Sequence, residues 1–278
     1  MIASIIKRVV FGVRRRFRHH LMPWVWRIAG GRTIRAFGRQ LRLSYRSEGL
    51  EHSGPILPRI SQVEDYVSYV DYVQMRAVVQ AAMDSDEAPV FVDVGAHHGV
   101  YAVLIGKILE EKGGRVLAIE PDSRNLAVLR ENVRLNGLER TVVCCDVAIS
   151  DRSGESGWKS AGGQSGLLSS RTEHGTVSVV TLSDVLKDHG INRISILMID
   201  VEGAELPVLR GAPEWINKTP KIFCEMHPYA WKNFGYTGQE ISNFITEIGL
   251  RCIDMFFREH DPLREDLFYI GPTMLVRR

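Results

Sequence analysis

The residues best equipped for chemistry lie in the last third of the chain. Asp200-Val-Glu-Gly-Ala-Glu205 brings three carboxylates within six residues, directly after the apolar run Ile194-Ser-Ile-Leu-Met-Ile199. A second run, Lys221-Ile-Phe-Cys-Glu-Met-His227, ends in Glu225 and His227, which strand alternation puts on one face. Carboxylates crowded in a desolvated mouth either raise one pKa, creating a base, or hold a cation. A neutral imidazole takes a proton near physiological pH. His227 is therefore the first choice of general base, with Glu225 or Glu202 orienting it and Asp200 beside the reacting ligand. The competing role is structural, with Glu205 in a first helical turn where the helix dipole favours an acid. No Cys or His spacing of the zinc type is present, and no metal-ligand set is expected. A divalent cation held by Asp200, Glu202, Glu225 or His227 stands as the rival mechanism.

The ligand for such a centre is announced upstream. Val90-Phe-Val-Asp-Val-Gly-Ala-His-His-Gly99 is an apolar run that ends in an acid and turns through two glycines, and Tyr101 to Leu109 then reads as a helix. A strand made to stop at a tight turn before a helix offers close backbone approach and unpaired N–H groups to a nucleotide-like cofactor. Steric need alone also places glycine in such turns. Arg115-Val-Leu-Ala-Ile-Glu120 is a second strand ending in an acid, roughly 20 residues or a little more after the turn, where a carboxylate accepts hydrogen bonds from a ribose diol. That spacing suits both a dinucleotide and S-adenosylmethionine (SAM). The turn is GxxxG and lacks the GxGxxG of a pyrophosphate site, and Asp93 would repel phosphates while engaging a cationic group, so charge favours SAM over NAD. Thr141-Val-Val-Cys-Cys-Asp-Val147 is a third strand, with Asp146 placed to accept adenine amino hydrogen bonds or simply to sit in a solvated turn. The expected cofactor-binding set is Asp93, Gly95, Ala96, Gly99, Glu120, Pro121, Asp146, Val147 and Asp200.

Val92-Asp-Val-Gly-Ala-His-His-Gly99, Ala118-Ile-Glu-Pro121, Asn132 to Asn136, Ala148-Ile-Ser-Asp151, Thr181-Leu182, Ile199-Asp-Val-Glu-Gly-Ala-Glu205 and Cys224-Glu-Met-His227, taken in that order, resemble the FkbM family of SAM-dependent methyltransferases. The resemblance covers roughly residues 88 to 260, and Asp-Val-Glu-Gly-Ala-Glu is its most specific part. It implies an α/β fold with a doubly wound, Rossmann-like sheet of seven strands, the last antiparallel, and helices on both faces. It also implies methylation of hydroxyls on glycans or secondary metabolites. One position departs from the family, which usually carries Lys two residues before the first Asp of that run; here it is Met198.

The chain that must position these groups has 278 residues and 45% hydrophobic composition, enough for one substantial core in one or two domains. Its net charge of +2 hides an asymmetry. Residues 1 to 46 hold twelve Lys and Arg and no acid; removing those from the 35 basic residues leaves 23 against 33 acids, a charge of −10. The expected division is a basic amphipathic segment (1–46), a linker and helical lead-in (47–87) and a methyltransferase domain (88–278). Ile2, Ile5, Ile6, Val9, Val13, Phe17 and Leu21 recur at helical spacing against a basic face, followed by Pro23, Trp24 and Trp26. An anchor on anionic lipid, a transit peptide and a helix packed on the domain all fit this pattern. Residues 1 to 46 are accordingly expected to be dispensable for SAM binding. Four Cys without CxxC spacing and no run of membrane-spanning length lead us to expect a cytoplasmic protein, peripheral on the inner membrane face if the anchor operates.

Residues 47 to 62 are turn-rich, and Val63 to Met83 reads as a helix. Ser123 to Asn136 is a further helix ended by Gly137. From Asp151 to Gly175 the composition turns to Gly, Ser and charge, which reads as a lid over the acceptor with Trp158 stacking on a ring, or as a plain surface hairpin. A helix near Gly238 to Ile248 precedes strands near Leu250 to Phe257 and Leu267 to Val276. Nucleic acid is not an expected partner, because the Asn/Asp-Pro-Pro-Tyr signature of base-nitrogen methylation is absent and no reading module accompanies the basic run. The competing function classes are a nicotinamide-dependent oxidoreductase and a non-catalytic, membrane-associated module that keeps the fold.

Overall fold

The structure is a computed structural model that describes residues 32–44, 69–159, 166–168, 176–259, 266 and 270–278. Its centre is a seven-stranded sheet. Five strands are parallel: β3 (Val90–Val94), β4 (Arg115–Ile119), β5 (Val142–Cys145), β10 (Ile196–Ile199) and β11 (Lys221–Met226). The near-continuous apolar runs in these strands follow from burial of both faces; every residue of β10 is buried. The last strand, β13 (Gly271–Arg277), inserts antiparallel between β11 and β12 (Leu250–Asp254), giving the order β12-β13-β11-β10-β3-β4-β5. The order reverses between β10 and β3, so the crevice beyond their carboxyl ends is the switch point of a doubly wound sheet. Strand β12 is shorter than the sequence suggests. Asp254 ends β12 by accepting hydrogen bonds from the backbone of Phe256 and Arg258, which turns the chain.

Two apolar layers cover the sheet. One packs Phe91, Ala118, Met198 and Phe223 against α1 (Tyr69–Met83), α2 (Val100–Glu110) and α3 (Ser123–Leu135). The other packs Val92, Val94, Ile119, Leu197 and Ile199 against α4 (Leu182–Asp188), α5 (Glu205–Arg210), α6 (Pro213–Ile216) and α8 (Gly238–Glu247). Local signals set the helix ends: Asp122 caps α3 through the Arg124 N–H at 2.9 Å, and Thr237 with Glu240 forms a capping box at α8.

The expected boundary at residue 46 does not hold for the end of the basic segment. β1 (Arg32–Ala36) and β2 (Arg39–Leu43) form a hairpin whose Phe37-Gly38 turn has φ of 49° and 78°, the left-handed pair of a tight two-residue turn. Its Leu41 and Leu43 are fully buried on the α2 and α3 side. The Ser44 N–H donates to Asn132 Oδ1 at 2.6 Å, and Asn136 exchanges hydrogen bonds with the backbone of Arg42 at 2.9 and 2.7 Å. Residues 32–44 thus belong to the core. The amphipathic stretch 2–21 and the linker 47–62 lie outside the described residues.

The stretch read as a lid is in part a second sheet, of order β6-β9-β7-β8, made by β6 (Ala148–Ser150), β7 (Gly154–Lys159), β8 (Gly166–Leu168) and β9 (Thr176–Thr181). Its Asp151–Gly157 portion lines a groove of about 570 Å³ with Pro207, Arg210 and Lys232 to Tyr236. The stacking expected of Trp158 lies outside the described side chains.

Candidate active site

Strand register builds the site. Val94, Ile119, Cys145, Ile199 and Cys224 are Cα partners across five strands, so the residues that follow, Gly95, Glu120, Asp146, Asp200 and Glu225, line up along one carboxyl edge. One step back, Asp93 pairs with Ala118 and Met198 and shares their face. The row divides at the switch point into a β3–β4–β5 half and a β10–β11 half.

In the first half, Asp93 is buried and its Oδ2 has no hydrogen-bond partner among the described residues. Burial, then the nearby Glu120 carboxylate, pushes its pKa up to about 7. Glu120 is equally buried and receives the N–H of His97 and of Asp122, both at 2.8 Å. Burial raises it to about 7 despite those hydrogen bonds. Two carboxyl groups this deep are a poor environment for phosphate and a good one for an ammonium group and a hydroxyl. Gly95 and Gly99 have left-handed φ of 90° and 78°. A Cβ on Gly95 would lie 1.7 Å from the Asp200 carbonyl oxygen, and one on Gly99 2.1 Å from Leu129 Cδ1. Packing therefore already demands both glycines, and the turn locks the two halves of the row together. Ala96 is buried, Pro121 and Val147 are half-buried, and Asp146 is exposed at the end of β5.

In the second half, His227 follows β11 and is buried among carboxylates. Its Nδ1 donates to Glu205 Oε1 at 2.8 Å, since a carboxylate only accepts, and this turns Nε2 toward Asp200, Glu202 and Glu225, each 3.8 Å away. Burial opposes charge on the ring, but the Glu205 hydrogen bond and the charges of Glu205, Asp200 and Glu202 outweigh it and raise its pKa to about 9. By itself the ring stays protonated at neutral pH, so a base role for His227 needs that negative charge offset. Burial and then the Glu225 carboxylate hold Asp200 well above the usual range, an effect its partial exposure moderates. Glu202 reaches the cluster because its backbone is left-handed, φ 50°, ahead of Gly203 at 108°.

Sequence reasoning underrated Glu205 and missed three aromatics. Glu205 is fully buried at the start of α5 and accepts from Gly203 N–H at 3.0 Å and Trp231 Nε1 at 2.9 Å, with Tyr236 Oη 3.0 Å from Oε2. Tyr229, on α7 (Pro228–Trp231), donates to Glu202. The apolar-aromatic run after His227 was the available signal. The groove beside the second sheet shares Tyr236 with this network, but none of the clustered carboxylates lines it.

The chain is similar to several known proteins. A family model described as the methyltransferase FkbM domain matches residues 93–252. The 2-O-methyltransferase NoeI of Sinorhizobium fredii (strain NBRC 101917 / NGR234) is 30% identical over 157 residues, which are 49% of this chain and 63% of that protein. Among solved structures, a methyltransferase FkbM from Methylobacillus flagellatus KT superposes with a TM-score of 0.47 at 16% identity, covering 69% of this chain and 44% of that one. The O-methyltransferase from Bacillus cereus in complex with SAH gives 0.43 at 13% identity, covering 76% and 82%. The matched model spans more than half of the chain and takes in the whole row from Asp93 to His227, so this protein belongs to the FkbM methyltransferase family.

Proposed function

We propose that this methyltransferase uses SAM to methylate a hydroxyl group on a glycan or a similarly hydroxylated metabolite. The observation that carries the reading is the single row of strand ends, with a buried acid pair on one side of the switch point and the His227 cluster on the other. The orphaned Oδ2 of Asp93 fits a cationic amino group, and Glu120 fits a ribose diol. When bound, SAM supplies an electrophilic methyl group. The chain's own work is then to align a hydroxyl and receive its proton, and the Asp200, Glu202, Glu225 and His227 cluster supplies groups that would take that proton. The relative named a 2-O-methyltransferase supports a hydroxyl acceptor.

The test is calorimetry with SAM and with NADH, followed by transfer of labelled methyl to a panel of oligosaccharides. SAM should bind and NADH should not. Glu120→Ala should cost roughly 1.5–3 kcal/mol of SAM binding, the scale of hydrogen bonds to a charged group. His227→Ala should lower methyl transfer by about 10²- to 10⁴-fold with SAM affinity nearly intact. Unchanged SAM affinity in folded Glu120→Ala rejects the donor assignment, and full activity in folded His227→Ala rejects the acceptor assignment.

A further inference from the structure

We propose that Asp200, Glu202 and His227, with Glu225 alongside, hold one divalent cation of the manganese or magnesium class, which polarises the acceptor hydroxyl. The proposal rests on reading this cluster as the place where the acceptor is activated, and it names how that activation is done.

Geometry is the first argument. His227 Nε2 stands 3.8 Å from an oxygen of each of the three carboxylates, too far for hydrogen bonds, and the ligand atoms of Asp200, Glu202 and His227 all lie within 4.8 Å of one another. Dividing those spacings by the square root of three puts a common centre roughly 2.2–2.8 Å from each atom, overlapping the 2.0–2.6 Å of divalent metal–ligand bonds.

The second argument is the way the imidazole is aimed. Glu205 takes the Nδ1 proton at 2.8 Å and is itself held by Gly203 N–H, Trp231 Nε1 and Tyr236 Oη. A buried carboxylate that fixes the tautomer and turns the other ring nitrogen toward neighbouring acids is the usual support behind a metal-bound histidine. Charge is the third. Among the described residues, His227 is the one cationic side chain within ion-pair distance of Asp200, Glu202 and Glu205. A dication placed there offsets the excess negative charge and leaves Nε2 as a lone-pair donor. One imidazole with carboxylates is a mixed N/O set suited to manganese or magnesium, and the partial exposure of Asp200 and Glu202 leaves room for water or a hydroxyl as further ligands. A hydroxyl on the cation loses its proton more readily, and that proton passes to a neighbouring carboxylate or to water while the oxygen keeps its electron pair for attack.

The experiment uses the full-length protein, stripped with chelator and free of SAM and acceptor, titrated with Mn²⁺ alone and followed by the loss of the free-ion EPR signal. One Mn²⁺ per chain should bind, Asp200→Asn and Glu202→Gln should each weaken it about ten- to a hundredfold, and pulsed EPR should show a ¹⁴N coupling that His227→Gln removes. Circular dichroism checks folding; if Asp200→Asn does not fold, Glu202→Gln decides. Absence of saturable binding, or binding unchanged in Glu202→Gln, overturns the proposal, as does a missing nitrogen coupling. A parallel SAM titration keeps the two readings apart. SAM bound without Mn²⁺ removes the cation and leaves methyl transfer standing, whereas neither bound removes both.

Discussion

Burial holds the protons of Asp93 and Glu120 to about pH 7, the Glu120 carboxylate adding to the effect on Asp93, one oxygen of which has no hydrogen-bond partner among the described residues. On the neighbouring strand the residue in register with Asp93 is Met198, whose thioether cannot neutralise a carboxylate, where related chains are expected to carry Lys. Met198 is instead buried against Gln74, whose Nε2 lies 3.4 Å from its sulfur. The consequence for stability has a definite sign. A carboxyl group raised above its unfolded value adds stability that is fully present below about pH 4 and is lost as pH rises through about 7, because the folded chain binds the proton more tightly. The ligand-free protein should therefore melt at progressively lower temperature from pH 5 to 8, and Asp93→Asn should flatten that decline by removing the charge while keeping the shape. Melting profiles of the two proteins check this, and parallel profiles reject it. The orphaned oxygen was not legible in the sequence, since it depends on which side chain stands across the strand. Glu205 was underrated for the same reason: Trp231 and Tyr236, which bury and orient it, come 26 and 31 residues later.

Elements with a strong local signal read correctly. The strand-turn-helix units around Gly95 and Glu120 are continuous apolar runs followed by helical periodicity, and register alone then brings their ends into one row. The β1–β2 hairpin was hidden because Arg39-Gln-Leu-Arg-Leu43 alternates charge with just two leucines, and a basic surface strand resembles a basic tail. Its importance lies in remote contacts. Asn132, fully buried, joins the hairpin's Ser44 N–H to the His98 carbonyl of the GxxxG turn at 2.6 and 2.7 Å. Losing two buried leucines costs about 2–5 kcal/mol each, a large share of a domain's stability. Deleting residues 1–46 should consequently lower the melting temperature sharply and weaken SAM binding through the turn, whereas a chain beginning at 32 should match the full-length protein in both. Thermal melts and SAM calorimetry on the two truncations decide the matter. Equal behaviour of both with the full-length chain would restore the boundary at residue 46.

For the whole molecule, the charge asymmetry now divides differently. Of the twelve basic residues before position 47, Arg32, Arg35, Arg39 and Arg42 lie in the hairpin, and Arg39 pairs with Glu111 at 2.9 Å. Seven others fall in residues 1–31 with no acid among them; six of these, Lys7 to Arg18, are interleaved with isoleucine, valine and phenylalanine at helical spacing and followed by Trp24 and Trp26, and Arg27 comes next. Among the described residues no helix is long and apolar enough to cross a membrane. We propose that this leading segment holds the enzyme to anionic membrane surfaces. Each basic residue near such a surface contributes on the order of 1 kcal/mol, and the attraction falls off over a Debye length of about 10 Å at 0.1 M salt. Full-length protein should sediment with phosphatidylserine-containing vesicles and progressively less as salt rises, while the chain beginning at 32 should stay in solution with its SAM affinity intact. Equal sedimentation of the two proteins would dispose of the anchor.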